Sequence, residues 1–281
     1  PAQTHARDRE VQRELQEKLR SGNLVISSKP ADPYRDIAPT GKYELRRGEG
    51  AIPCLSGTES AETVVHSYAP DGTWLGVMTE HRFNFLRARR REFWEGERGR
   101  RMAEKMGLTW HTLEREIADL FRRYKPGSKK GDGSKVDLKN HWAVRTPLRA
   151  TIVREYRVSC EAFASPLNCM IGEGAPTGYC SAHPRDVIFG ATYDAYSTNP
   201  SKLSAYMNPE YTEEELLRAL KWAVAASQLP EPFCSVLVIP RFQMAKYMDL
   251  LQHHHVRLIA KAERGTFSFM APTHWELGDQ D

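Results

Sequence analysis

Tyr206-Met207-Asn208-Pro209-Glu210-Tyr211, followed by the acidic, leucine-bearing run Thr212 to Ala226, is the stretch that decides the fold. Its order is apolar or aromatic residues, then Asn-Pro, then an aromatic, then a helix start. That is a strand end, a tight loop and a helix N-terminus. Thr212 is placed to cap the helix through its hydroxyl, with Glu215 where a capping-box carboxylate belongs. Leu216, Leu217, Leu220 and Val224 fall on one helical face. In an open α/β sheet, ligands bind in the crevice past the strand C-termini. A loop carrying Asn, Pro and an aromatic at that point suits methylation of an exocyclic amino group. Such a nitrogen is a poor nucleophile because its lone pair is delocalised into the ring. The Asn208 side-chain oxygen and the Pro209 carbonyl are candidates to accept its two hydrogens. Tyr211 is the candidate to stack on the base and fix its plane. The plain alternative is an Asn-Pro turn between two elements.

Working outward, the rest of the second half alternates between helix and strand signals. Pro147 to Arg154 reads as a helix with Pro near its first turn. Val158 to Phe163 reads as a buried strand followed by the loop Ala164 to Asn168. Tyr179 to Ser181 is a short strand, Asp186 to Gly190 leads into a loop, and Leu203 to Met207 is the strand before Asn208. Ser235-Val236-Leu237-Val238-Ile239 is apolar, β-branched and stopped by Pro240, as a central parallel strand should be. Met244 to His254 reads as a helix. Val256 to Lys261 and Thr266 to Met270 read as strands around a turn at Glu263-Arg264-Gly265. The expected class is α/β, with a Rossmann-like domain over 136–281.

The first half reads differently. Residues 1–75 are expected to form an extended or partly disordered segment, with turn signals at Ser27-Ser28-Lys29-Pro30 and Ala38-Pro39-Thr40-Gly41. Thr73 to Met78 looks like a short strand or turn. Residues 76–135 form a basic helical region, with breaks expected near Gly96 to Gly99 and at Gly107. In its last helix Trp110, Leu113, Ile117, Leu120 and Phe121 share one face. Lys125 to Ser134 is a flexible loop.

Charge is unevenly spread. From Arg82 to Lys135 there are 16 Lys and Arg against 8 Asp and Glu, an excess of +8 in a chain whose formal net charge is +4. A polyanion, most simply nucleic acid, is the partner this suits. Arg87, Arg89, Arg90 and Arg91, beside Phe93 and Trp94, are the candidate RNA contacts, with Lys129 and Lys130 in the loop. Solvated helix faces are the plain alternative for such residues.

The 281 residues, 40% hydrophobic and 10% aromatic, support a real core. No apolar run approaches the length of a membrane span, so a soluble protein with no membrane partner is expected. The 5 cysteines are an odd number, expected to be reduced thiols of an intracellular protein. Cys160, Cys169, Cys180 and His183 match no standard zinc spacing, and His253-His254-His255 point in different directions on a helix; no metal is expected.

Five motifs in order resemble one family. Phe163-Ala164-Ser165-Pro166-Leu167-Asn168, Tyr179-Cys180-Ser181-Ala182, Phe189-Gly190, Asn208-Pro209-Glu210-Tyr211 and Val238-Ile239-Pro240 are similar to the collinear signatures of the phosphorylated-CTD-interacting-factor family, over about 142–272. That family contains the cap-specific adenosine N6-methyltransferase of messenger RNA. The resemblance implies a Rossmann-fold enzyme using S-adenosyl-L-methionine. Glu161, Phe163, Ala164, Ser165, Pro166, Leu167 and Asn168 would line the cofactor, with Asp186, Phe189 and Gly190 as further candidates. Asn208, Pro209 and Tyr211 would be catalytic, and Glu210 stands where the family has a second Pro. The implied substrate is RNA, at an adenosine near a 5′ end. The implied compartment is nuclear, while the start at Pro1 rather than Met leaves an organellar address open. No WW module is visible.

Two other readings follow from the same residues. Glu210 and the basic helices also suit a degenerate methyltransferase fold that serves as an RNA-binding or scaffold subunit of a ribonucleoprotein assembly. The same loop chemistry also serves amino groups of DNA bases.

Overall fold

The computed structural model describes residues 40–50, 62–124, 143–144, 146–172, 174–198, 204–229, 234–240, 246–261 and 269–270. The chain first builds an antiparallel sheet of three strands, β1 (Glu44–Gly50), β2 (Glu62–Tyr68) and β3 (Trp74–Thr79), in that order. Loops were expected where β1 and β2 lie. The hairpin between β2 and β3 turns at Gly72, whose φ of +84° a side chain would resist.

Strand β3 runs directly into α1 (Glu80–Glu95), and the Thr79 hydroxyl caps it by accepting from the Arg82 N–H at 3.1 Å. Helix α2 (Glu97–Met106) follows after Gly96 and ends at Gly107 in the left-handed region, so both expected breaks occur. Helix α3 (Leu113–Tyr124) is buried from Glu116 to Phe121. Phe121 packs against β3, where a Cβ on Gly76 would sit 2.4 Å from its ring. Trp110, expected on the apolar face of this helix, precedes it and is 60% exposed.

After α4 (Thr146–Glu155) comes a five-stranded parallel sheet. Its strands are β5 (Cys160–Glu161), β6 (Gly178–Ser181), β7 (Thr192–Tyr193), β8 (Ser204–Met207) and β9 (Cys234–Leu237). Their spatial order is β7-β6-β5-β8-β9, all parallel, so the chain steps outward to one edge and then returns to the other side of β5. The fold is thus mixed α/β, with a parallel five-stranded sheet and several helices.

Side chains alternate across the sheet as the strand period requires. Cys160, Ala205 and Met207 face α5 (Glu213–Ser227), whose Ala219, Trp222 and Ala223 cover them. Tyr206 faces the opposite way, toward Val153 of α4 and Val158. A two-residue antiparallel pair joins β4 (Ala143–Val144) to β10 (Phe269–Met270). The expected helix over Met244 to His254 is, among the described residues, a 3-10 turn at Met248–Gln252. Residues 256–261 form no strand.

The helical region and the parallel sheet are not separately cored. Val65, Leu86, Phe93, Ile117 and Phe121 pack in one cluster with Leu167, Val187, Ile188 and Phe189. Two buried ion pairs run from α3 to the 3-10 helix Pro184–Phe189: Arg123 to Asp186 at 2.6 Å and Arg185 to Glu116 at 2.8 Å.

Candidate functional site

The two loops singled out in sequence lie past the C-terminal ends of two neighbouring inner strands of the parallel sheet. Strands β5 and β8 are hydrogen-bonded neighbours, with Glu161 opposite Tyr206. The chain leaves β5 toward β6 on one side and leaves β8 toward β9 on the other. The segments 162–168 and 208–211 therefore emerge side by side where the strand order reverses. That is the place where open α/β sheets bind ligands.

The first of these loops is held from below. The Asn168 side-chain oxygen accepts from the Ser165 N–H at 2.7 Å and from its hydroxyl at 3.1 Å, closing a tight turn. Arg149 of α4 donates to the Asn168 carbonyl and to the Glu161 carboxylate, both at 3.0 Å. Arg82 of α1 donates to the carbonyls of Pro166 at 3.3 Å and Cys169 at 2.7 Å. Ser165, Pro166 and Leu167 are buried; Phe163, Ala164 and Asn168 are half-buried at the rim. The Phe163 ring lies 5.2 Å from Tyr196, whose hydroxyl donates to Glu215 at 2.5 Å and whose face carries Arg218 at 3.8 Å.

In the second loop Asn208, Glu210 and Tyr211 are half-buried and Pro209 is buried. The Tyr211 hydroxyl donates to the Asn208 side-chain oxygen at 2.6 Å. Burial raises the pKa of Tyr211, so it stays a proton donor through the physiological range. Behind it, burial likewise raises Tyr206, which also feels the charges of Arg149 and Glu161.

Three expected cofactor residues are placed otherwise. Asp186 is fully buried, and its carboxylate accepts from Arg123, from the Tyr124 hydroxyl at 2.5 Å and from Ser181. It serves the core rather than a ligand surface. Phe189 is fully buried in the shared core, and its carbonyl accepts from the Tyr179 hydroxyl at 2.9 Å. Glu161 is turned inward, between Arg149 and the Met170 N–H at 2.7 Å. Gly190 is exposed at φ +91° against the Arg89 stem.

A cleft of about 880 Å³ lies away from this crevice, on the helices. Arg87, Arg90, Arg91, Trp94, Arg100 and Trp110 line much of it. The Arg90 guanidinium lies 5.3 Å over the Trp110 ring and donates to the His111 carbonyl. Arg89 is turned aside, paired with Glu92 at 3.1 Å. Lys129 and Lys130 lie outside the described residues. Trp110 and Arg100 carry no sequence signal that sets them apart from a packed helix face and a solvated one. Arg82, Arg149 and Tyr196 were missed because their partners are distant in sequence. Among the described residues no three His, Cys, Asp or Glu are placed to hold a metal ion.

A family model described as the phosphorylated CTD interacting factor 1 WW domain matches residues 100–268, more than half of the chain. The chain belongs to this family. The span matched in this phosphorylated CTD interacting factor 1 family member runs from α2 across the whole parallel sheet, and so includes both loops at the crevice. It also includes Trp110 and Arg100 of the cleft, while α1 lies before it. No curated protein matches the chain.

Proposed function

We propose that this chain is an S-adenosyl-L-methionine-dependent adenine N6-methyltransferase acting on RNA, at an adenosine near a 5′ end, built on a Rossmann-like domain. One observation carries the reading: the 162–168 and 208–211 loops leave neighbouring parallel strands at the reversal of strand order. Membership of the phosphorylated CTD interacting factor 1 family supports it.

The residues at the crevice fit the cofactor. The half-buried Phe163 ring offers a face for a purine, and the half-buried Ala164 lets backbone approach closely. Glu210 brings a carboxylate to a place where a sulfonium is to be bound. When bound, the cofactor supplies an electrophilic methyl carbon on sulfur. Asn208 and the Pro209 carbonyl accept the two hydrogens of the adenine amine, which localises its lone pair toward that carbon. Tyr211 stacks on the base. Holding and aiming the amine is the chain's own part; the proton the nitrogen loses on methylation would pass to water, and the bonding pair would stay with the departing sulfur. The Arg- and Trp-lined cleft tracks the RNA strand, with phosphates on arginines and a base on Trp110.

Incubation with labelled cofactor and capped, adenosine-start RNA tests this reading. Transfer of label to adenine N6 is expected. No transfer by protein that demonstrably binds the cofactor would sink it. The cleft is lined by residues other than those of the crevice, which favours a second reading, an RNA-binding scaffold on a degenerate methyltransferase fold. That reading predicts salt-sensitive RNA binding with no heat of cofactor binding in calorimetry.

A further inference from the structure

A tyrosine and a phenylalanine both stack on a base, so the aromatic at position 211 reads as interchangeable between them. The geometry around it says otherwise. The Tyr211 hydroxyl donates to the Asn208 side-chain oxygen at 2.6 Å, a short and well-formed bond between two residues of one turn. A primary amide can present either its oxygen or its NH2 to a ligand, by a half-turn about its last torsion. Only the oxygen serves as acceptor for an exocyclic amine. A phenol that donates to that oxygen fixes which edge of the amide faces the loop, and an amide oxygen has a second acceptor position for a further hydrogen.

We infer that the Tyr211 hydroxyl is a positioning group that holds the Asn208 amide with its oxygen as the acceptor for the substrate amine. This rests on the methyltransferase reading above and adds to it a second duty for Tyr211, separate from stacking. Holding one torsion in advance removes a cost that would otherwise fall on the reactive complex. Burial pushes its ionisation still further above working pH.

The test is a cycle of Tyr211→Phe, Asn208→Ala and the double variant, with labelled cofactor and adenosine-start RNA. Tyr211→Phe keeps the ring and removes the bond. It should lower kcat about tenfold, by the scale of one neutral hydrogen bond, and leave KM for RNA unchanged. In the Asn208→Ala background the same change should do nothing further, since the hydroxyl then has no amide to hold. Tyr211→Ala should in addition raise KM, because the stacking ring is gone. Wild-type kcat should show no loss between pH 8 and about 10, where an ordinary tyrosine begins to ionise. Folding of each variant is checked by thermal midpoint and by its affinity for RNA without cofactor. A Tyr211→Phe variant as fast as wild type, or faster, overturns the inference while the methyltransferase reading stands. Equal losses from Tyr211→Phe with and without Asn208 also overturn it. A wild-type protein that transfers no label at all removes both.

Discussion

Arg82 reaches from the first turn of α1 to the loop after β5, where it donates to the Cys169 carbonyl at 2.7 Å and the Pro166 carbonyl at 3.3 Å. One guanidinium thus fastens the helical region to the candidate cofactor loop. Its fork gives both carbonyls a charged donor from outside the loop. Arg82→Met keeps the stem and removes the fork. The expected result is a drop in stability of about 1–3 kcal/mol by urea denaturation. Affinity for S-adenosyl-L-methionine should fall about tenfold by calorimetry at a temperature where the variant is folded, the equivalent of one hydrogen bond. Unchanged affinity would mean that the loop keeps its shape without α1.

Asp186 stands at the centre of the shared core, with Arg123 at 2.6 Å and both side chains almost wholly removed from water. Breaking such a pair is costly because the surviving charge is left buried. Asp186→Asn should destabilise the protein by about 3–5 kcal/mol in urea denaturation. Cofactor affinity of the folded fraction should not change, because the carboxylate faces Arg123, Tyr124 and Ser181 rather than the crevice. A selective loss of cofactor binding with normal stability would return Asp186 to the ligand surface.

These two residues show why part of the site could not be read in sequence. Local signals survived well. The Thr212 hydroxyl does accept from the Glu215 N–H, at 3.3 Å, and of the four expected apolar residues Leu216, Leu220 and Val224 are buried in α5 while Leu217 is half-buried. Both depend on neighbours within a turn or two. The Glu215 carboxylate departs from the capping box because the Tyr196 hydroxyl, 19 residues back, takes it. Asp186 follows Pro184 and Arg185 and reads as a cofactor candidate leading into a loop; its partner Arg123 is 63 positions away. Strand β1, Glu44-Leu45-Arg46-Arg47-Gly48-Glu49-Gly50, has almost no apolar content, and it exists through its pairing with β2. Trp110 shares a helical spacing with Leu113 and Ile117, yet α3 begins only at Leu113 and leaves the indole outside. For Glu215, Asp186 and β1 a non-local partner overrode a local pattern; for Trp110 the helix simply starts too late.

His111 gives the fold a pH dependence. Burial, with Arg185, Arg115 and Arg90 around it, pushes its imidazole from the ordinary 6.5 down to about 4. Between those values the unfolded chain takes up a proton that the folded chain refuses. Stability from this residue is therefore fully present above pH 6.5 and is lost as pH falls toward 4. Urea denaturation at pH 7, 5.5 and about 4.5 should show a falling unfolding free energy, and His111→Gln should flatten that slope without abolishing it. An identical slope in the variant would place the acid sensitivity on other groups.

The cleft on the helices makes a prediction of its own, because its charges and its rings should fail in different ways. Arg87 and Arg91 are exposed, while Trp110 offers an indole beneath the Arg90 guanidinium. If phosphates lie on the arginines, Arg87→Glu with Arg91→Glu should weaken single-stranded RNA binding whatever its sequence. The slope of log affinity against log salt should shrink by about 0.7 for each phosphate no longer neutralised. If a base lies on the indole, Trp110→Ala should cost about 1–3 kcal/mol and leave that slope unchanged. Fluorescence anisotropy at several salt concentrations separates the two. Cofactor affinity should be untouched by either change, since the cleft and the crevice are lined by different residues. Full affinity in both variants would leave this face of the helices as a solvated surface, and the RNA path would have to run elsewhere.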